Sequence, residues 1–105
     1  MEQISVEEAK RMLAEGPRVQ LVDCRKAWEV AICRLPGAIH IPLGDIVEQG
    51  PAELDRSIPV FVYCHAGIRS VNAAVLLERA GFVAMSMRGG TEAWSLRIDP
   101  GVARY

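Results

Sequence analysis

The sequence lacks an excess of charge, because its 12 basic and 13 acidic residues leave a formal net charge of −1 over 105 residues. Charges of both signs are interspersed, so the chain has neither a basic stripe that would favour nucleic acid nor an acidic tail that would favour disorder. It also has no apolar run near the roughly 20 residues that a membrane-spanning helix needs. These absences predict a protein without a nucleic-acid or membrane partner.

Cysteine is scarce too, since the sequence contains only Cys24, Cys33 and Cys64. Their number is odd and they show neither C-x-x-C nor Cys/His metal spacing, which predicts free thiols with no bound metal and no cofactor. Free thiols suit a reducing compartment. Residues 1–8 have no cationic stretch before an apolar core, so no secretory signal is indicated. We therefore expect a cytoplasmic protein.

The chain length predicts one domain over residues 1–105. A chain of 105 residues, of which 50% are apolar and 24% charged, can bury one hydrophobic core but is too short for two. Helical patterns alternate with short apolar runs along the whole chain. This alternation predicts an α/β fold, with a mostly parallel central sheet flanked by helices on both faces.

The predicted elements follow from their boundary signals. Ser5 and Glu8 form a capping box that begins a first helix, and Gly16-Pro17 ends it. Residues 44–56 are interpreted as two short helical turns separated by Gly50-Pro51. Other strands are expected within 18–23, 38–41, 60–63 and 83–87, and other helices within 27–32, 70–80 and 91–97.

The segment from Cys64 to Ser70 carries the clearest chemical signal. Cys64 follows a buried strand and Ser70 opens a helix, whose first N–H groups lack intrahelical partners and stabilise an anion. A cysteine at such a position has a lowered pKa and is nucleophilic near neutral pH. Gly67 allows a positive φ, so that successive N–H groups can form an anion-binding nest. Arg69 adds a fixed positive charge.

The alternative for Cys64 is a purely structural role, since free cysteine is among the most buried residue types. A glycine, an arginine and a helix start within six positions favour an active-site loop instead.

Three motifs in order resemble the rhodanese-like domain family over nearly the whole chain. The second motif is the Cys-x-x-Gly-x-Arg-Ser loop itself. The first is an Asp-x-Arg strand end with a following Glu and a Pro-Gly-Ala turn, and the third is a Gly-Gly pair followed by a tryptophan. Their residues are Asp23-Cys24-Arg25, Glu29, Pro36-Gly37-Ala38 and Ile41-Pro42 for the first, and Gly89, Gly90 and Trp94 for the third.

The resemblance implies a thiosulfate sulfurtransferase. Cys64 would take a sulfane sulfur from a donor such as thiosulfate, become a persulfide, and pass the sulfur to cyanide or a thiol. Arg69 would neutralise the incoming sulfonate and hold the Cys64 thiolate. The backbone of the loop residues would stabilise the persulfide anion, and Asp23 and Arg25 would form an ion pair or brace the loop. The loop residues are His65, Ala66, Gly67, Ile68 and Ser70.

Several other residues receive structural assignments. The family usually shows Gly-His-Ile before the Pro-Gly turn, where this chain has Cys33-Arg34-Leu35, and Cys33 is taken as incidental. His65 either tunes donor selectivity or points at solvent. The remaining residues are assigned to packing or structure, with the core preferred over a pocket wall for the tryptophans: Cys24, His40, Trp28 and Trp94.

Three other functions compete with this one. Cysteine phosphatases and arsenate reductases use a similar loop, but four residues separate Cys64 from Arg69 here and their loops have one more. The shorter loop suits a single terminal sulfur better than a tetrahedral oxyanion. A catalytically silent interaction domain is the second alternative, against which the retained Cys64, Gly67 and Arg69 argue. The third is a carrier that receives persulfide sulfur from a partner protein, and the sequence does not separate it from a small-molecule enzyme.

Overall fold

A parallel sheet forms the centre of the protein. The computed structural model describes residues 2–105, and these form five parallel strands in the order β1-β5-β4-β2-β3. The strands are β1 (Glu2–Ile4), β2 (Gln20–Asp23), β3 (Ile39–His40), β4 (Val60–Tyr63) and β5 (Ala84–Met87).

Helices cover both faces of this sheet, which confirms the predicted α/β fold. They are α1 (Val6–Glu15), α2 (Ala27–Ile32), α3 (Ile46–Glu53), α4 (Arg69–Arg79) and α5 (Gly90–Arg97), with a 3-10 turn at Leu43–Asp45. One apolar core forms under α3 and α4, and a second lies on the opposite face under α1 and α5. None of the helices among residues 2–105 is both long and apolar enough to cross a bilayer.

Strand β4 lies at the centre of the sheet, between β5 and β2. All four of its residues are buried. Val60 and Val62 contribute to the core under α3 and α4, while Phe61 and Tyr63 contribute to the core under α1 and α5. The alternation of side chains along a strand explains why this run is apolar throughout.

Two parts of the fold differ from the sequence prediction. Strand β1 was not predicted, because only Ile4 of its three residues is buried and the strand is specified by its pairing with β5. The prediction of two turns separated by Gly50-Pro51 is wrong, since α3 runs through Pro51. The Leu54 N–H donates to the Gly50 carbonyl at 2.9 Å, so the helix closes its last turn although proline has no N–H.

Candidate active site

Cys64 lies directly after β4, at the edge of the sheet where the parallel strands end. Its side chain is buried, with 1% of the residue exposed. Helix α4 begins five positions later at Arg69, one residue earlier than the sequence pattern indicates. In open parallel sheets this edge is where ligands bind.

The sulfur of Cys64 is surrounded by hydrogen-bond donors. The N–H groups of Gly67 and Ser70 lie 3.1 and 3.4 Å from Sγ. The Ser70 hydroxyl lies 3.5 Å from Sγ and is itself 2.7 Å from the hydroxyl of Ser86 on β5. Gly67 has a φ of +98°, a conformation that turns its N–H inward and that other residues rarely adopt. The expected anion nest therefore exists in the structure.

These donors favour the ionised form of Cys64. A hydrogen bond from the Cys24 thiol lowers the pKa of Cys64 most, and the Ser70 hydroxyl and the N–H groups of Ser70 and Gly67 lower it further. Burial opposes them, and the pKa falls from 9.0 to about 4. Cys64 is therefore a thiolate at neutral pH, which is the nucleophilic form.

Cys24 is buried, as a packing role implies, and it also affects the ionisation of Cys64. Its hydrogen bond to Cys64 and its burial both raise the pKa of the Cys24 thiol, so it stays neutral beside the Cys64 thiolate. The sequence assigned Cys24 no part in the site.

Arg69 is held by Glu29 on α2. Its Nη1 and Nη2 atoms lie 2.6 and 2.7 Å from the two carboxylate oxygens of Glu29, a bidentate ion pair. The hydrogen bond from Arg69 lowers the pKa of Glu29 most, and despite the opposing effect of burial the pKa is about 2. These two hydrogen bonds join α4 to α2 and raise the pKa of Arg69 most, and Arg69 also interacts with Cys64 through its charge, which raises that pKa further. That Arg69 holds the thiolate during the reaction stays a prediction.

Asp23 and Arg25 form the ion pair that the sequence analysis expects, and both are fully buried. Arg25 Nη2 lies 2.6 Å from Asp23 Oδ2. The Arg25 guanidinium also donates to the Cys33 carbonyl at 2.5 Å and to the Tyr105 hydroxyl at 3.0 Å, among other partners. A buried guanidinium with this many partners braces the segment that follows β2.

Tyr105 covers the rim of the loop, which the sequence analysis did not foresee. Its ring stacks on His65 at a centroid distance of 4.1 Å and meets Trp28 edge-on at 5.9 Å. Its hydroxyl lies 2.9 Å from Glu29. His65 thus packs beneath Tyr105, and its Nε2 lies 3.5 Å from Glu92 on α5.

The Gly89-Gly90 pair holds the loop from the side of α5. The N–H groups of Thr91 and Glu92 donate to the carbonyls of Cys64 and His65 at 2.9 and 3.1 Å. Gly90 has a φ of +55°, and a side chain there would collide with the Cys64 carbonyl oxygen. The third motif therefore anchors the first turn of α5 to the loop.

A pocket of about 390 Å³ opens beside the site, lined by Cys24, Lys26, Pro42, Leu43, Gly44 and Arg69. A larger hollow of about 440 Å³ lies along α1 but contains no cysteine or histidine, so we assign it no chemistry. Among residues 2–105 no cluster of side chains is arranged to hold a metal ion.

The remaining predicted residues fall in several environments. Trp94 is buried in the core, but a core position is wrong for Trp28, which is 60% exposed. His40 Nε2 lies 2.7 Å from the Arg25 carbonyl oxygen, a structural contact. Cys33 is half-buried, and its Sγ lies 3.5 Å from Arg25. Ala66 and Ile68 are exposed in the loop.

Comparison with known proteins identifies the family. The family model described as Rhodanese-like domain matches residues 5–97. The chain is 32% identical over 100 residues to the putative sulfurtransferase YtwF of Bacillus subtilis (strain 168), covering 95% of this chain and 96% of that protein. It is 31% identical over 124 residues to the adenylyltransferase and sulfurtransferase MOCS3 of Sus scrofa. That alignment covers 99% of this chain and 27% of the longer protein.

The fold agrees with a solved structure of the same kind. The crystal structure of a rhodanese-like domain protein from Staphylococcus aureus matches with a TM-score of 0.84 at 30% identity, covering 100% of this chain and 99% of that chain. Since the family model covers most of the chain and the fold and the cysteine loop agree with it, the chain belongs to the rhodanese-like domain family.

Proposed function

We propose that the chain is a sulfurtransferase that moves a sulfane sulfur from thiosulfate to cyanide or a thiol through a persulfide on Cys64. The observation that carries this proposal is the Cys64 thiolate within hydrogen-bond reach of the Gly67 and Ser70 N–H groups. Two of its relatives are named as sulfurtransferases, which supports the same chemistry.

In the first half-reaction the Cys64 thiolate attacks the outer sulfur of thiosulfate. A bond forms between Sγ and that sulfur, the S–S bond of thiosulfate breaks, and sulfite leaves with the electron pair. The product is a persulfide that carries its charge on the terminal sulfur. Donors fixed before the reaction stabilise such charge without reorganising, and the loop between Cys64 and Ser70 supplies backbone N–H groups of this kind.

In the second half-reaction cyanide attacks the terminal sulfur. The new C–S bond forms as the bond to Sγ breaks, thiocyanate leaves, and the Cys64 thiolate is restored. A thiol acceptor in its thiolate form would take the same sulfur as a persulfide. No metal or cofactor enters either step as we propose it.

The ion pair of Arg69 bears on the competing phosphatase function. A phosphatase loop needs its arginine free to bind the oxygens of the phosphoryl group, whereas Nη1 and Nη2 of Arg69 are both hydrogen-bonded to Glu29. Together with the short loop, this favours sulfur over phosphoryl chemistry.

A protein donor is a second source of sulfur that one observation favours. Ile68 in the loop is 76% exposed and Trp28 beside Tyr105 is 60% exposed. Exposed apolar side chains next to a reactive group suit contact with a protein. A persulfide-donating protein, and a carrier role for this chain, are therefore tested beside the small-molecule reaction.

The decisive experiment follows the sulfur. The protein is incubated with thiosulfate, excess donor is removed, and intact mass and peptide mapping locate the added atom. We expect one sulfur per chain on the peptide containing Cys64, and its release by cyanide as thiocyanate. Cys64→Ser should take up none, while Cys33→Ser, which alters the half-buried thiol, serves as the matched control and should load fully.

The alternatives have distinct outcomes in the same experiment. Sulfur found mainly on Cys33 would overturn the site. Loading from a cysteine desulfurase but not from thiosulfate would identify a carrier. A folded protein that accepts sulfur from no donor would be an interaction domain, and Cys64-dependent hydrolysis of an aryl phosphate would identify a phosphatase.

A further inference from the structure

The strand register brings Cys24 beside Cys64. Strands β2 and β4 are parallel neighbours in which Asp23 pairs with Tyr63. Cys24 and Cys64 are the residues that directly follow these two strands. The pairing continues to them, since the Cys24 N–H donates to the Tyr63 carbonyl at 3.1 Å. Neighbouring strands lie about 4.8 Å apart, so the two Cα atoms are adjacent across the sheet.

Both cysteine side chains point to the same face of the sheet. Cys24 and Cys64 contribute to the core under α3 and α4, together with Val22 and Val62. Tyr63, between Val62 and Cys64 in sequence, contributes to the opposite core. Both cysteines are buried, with 1% of each residue exposed.

The Cys24 thiol has one proton and two acceptors for it. Its Sγ lies 3.4 Å from the Tyr63 carbonyl oxygen. The second acceptor is the Cys64 sulfur, which the strand register places at the adjacent position in the same buried cluster. A hydrogen bond to an ion is about twice as strong as one between neutral groups. Once Cys64 is ionised, the proton of Cys24 therefore turns from the carbonyl to the thiolate.

The charged groups around this pair are engaged in ion pairs, and of these Asp23 and Arg69 also act on Cys24 through their charge. Beyond β2, Asp23 is paired with Arg25, and on α4 Arg69 is paired with Glu29. On α5, Glu92 lies against His65 and Arg104. From β5 the contact is a neutral hydroxyl, that of Ser86, which reaches Cys64 through Ser70.

We propose that Cys24 is a positioning residue whose S–H group donates to the Cys64 thiolate, keeping Cys64 ionised and its sulfur fixed at the mouth of the loop. Its part in sulfur transfer rests on the proposed function, but its effect on the ionisation of Cys64 does not. The donor set of Cys64 then comes from both neighbouring strands, with Cys24 on the side of β2 and Ser86 acting through Ser70 on the side of β5.

The test compares three substitutions. Cys24→Val keeps an apolar side chain and removes the donor, Cys24→Ser keeps a donor, and Cys33→Ser removes a thiol outside the site. The rate of iodoacetamide alkylation of the Cys64 peptide is measured against pH, with no sulfur donor present. The wild-type midpoint is expected near the pKa of Cys64, which is about 4.

We expect Cys24→Val to move this midpoint upward by about one pH unit or more, because a donor to the ionised form is lost. Cys24→Ser should restore most of the shift, and Cys33→Ser should leave the midpoint unchanged. Persulfide formation at pH 5 should slow about twofold in the valine variant, because a midpoint moved from about 4 to about 5 leaves about half of Cys64 ionised at that pH. If the valine variant does not fold, Cys24→Ala replaces it, with far-UV circular dichroism as the check.

Two results would overturn the proposal. A wild-type midpoint in a folded Cys24→Val or Cys24→Ala variant would show that Cys24 only packs. A sulfur-loaded protein that loses the sulfur and two hydrogens, forming a Cys24–Cys64 disulfide, would make Cys24 a resolving thiol instead. A shifted midpoint in a protein that transfers no sulfur would support the positioning role and reject the proposed function.

Discussion

At the scale of single residues, the site must stabilise a buried anion, the Cys64 thiolate. Removing a thiolate from water is costly unless donors replace the lost hydration. Around Cys64 the donors differ in kind: two backbone N–H groups, the hydroxyl of Ser70 and the thiol of Cys24. Backbone donors are fixed by the fold, whereas side-chain donors can be removed one at a time, so their contributions can be measured.

Removing the Ser86 hydroxyl measures what its hydrogen bond to the Ser70 hydroxyl contributes to the site. Its hydroxyl is buried and lies 2.7 Å from that of Ser70. A donation from Ser86 to Ser70 leaves the Ser70 proton free to face the thiolate. We expect Ser86→Ala to raise the pH midpoint of Cys64 alkylation by less than Cys24→Val does, and to cost about 1 kcal/mol in the free energy of unfolding.

Ser95→Ala is the matched control for this substitution. Ser95 is also a buried serine with a hydrogen bond of 2.7 Å. Its partner is the carbonyl of Val102, which belongs to the core under α1 and α5 and not to the core beneath α4. We expect a similar loss of stability with no change in the alkylation midpoint. Equal midpoint shifts in both variants would show that the effect is a general loosening of the fold.

At the scale of elements, the pair of Glu29 and Arg69 joins two helices on either side of the site. Glu29 lies on α2 and is buried. Arg69 is the first residue of α4, and its side chain is 32% exposed. Breaking such a pair leaves a carboxylate in a protein environment with its other partners, the Lys26 N–H and the Tyr105 hydroxyl. We therefore treat the pair as a structural tie near the nucleophile.

The tie makes stability depend on pH in a defined window. The pKa of Glu29 is about 2 in the fold against an ordinary value of 4.5. Because the folded pKa is depressed, the stabilisation is fully present above pH 4.5 and is lost as the pH falls toward 2. We expect Glu29→Gln to lower the free energy of unfolding by about 2 kcal/mol at pH 7 and to flatten the acid limb of the stability curve.

Denaturant unfolding at a series of pH values measures this effect. Glu7→Gln is the control, because Glu7 forms an exposed pair with Arg97 at 3.5 Å and such pairs contribute less than about 1 kcal/mol. An unchanged acid limb in Glu29→Gln would mean that other carboxylates dominate acid unfolding. Retained sulfur loading in this variant would agree with a structural tie.

The elements near Cys64 could be predicted because their signals are local. The apolar run of β4, Gly67 and the following helix occupy one continuous stretch, and the structure has them within a residue of the prediction. The partners of that stretch could not be predicted in the same way. Cys24 reaches Cys64 through the register of two strands whose paired residues are 40 apart in sequence, as in Asp23 and Tyr63.

The hydrogen-bond partner of Arg69 shows the same limit. The sequence supplies a positive charge next to the nucleophile, but the side chain turns to whichever anion the fold brings within reach. Here that anion is Glu29, 40 residues away. Strand β1 and the unbroken α3 are further cases, because pairing with β5 and packing decide them rather than local propensity.

At the scale of the whole molecule, Tyr105 connects three separate parts of the chain around the site. It stacks on His65 in the loop, its hydroxyl reaches Glu29 on α2, and Arg25 after β2 donates to the same hydroxyl. These contacts span 76 and 80 residues for Glu29 and Arg25. The rim of the site is thus held by a residue distant from it in sequence, and the stack and the hydroxyl hold different neighbours.

Two substitutions separate those contributions. Tyr105→Phe keeps the stack and removes the hydroxyl, so it should cost about 1 kcal/mol of stability through Arg25 and Glu29 while leaving the loop in place. Tyr105→Ala also removes the ring from His65, so amide hydrogen exchange within residues 65–68 should become faster and persulfide formation slower. Hydrogen-exchange mass spectrometry on the loop peptide measures the difference, because local opening exposes these N–H groups to solvent. Exchange accelerated equally in the two variants would show that the hydroxyl alone holds the rim. Exchange unchanged from wild type in both would show that the amides of α5 hold the loop without Tyr105.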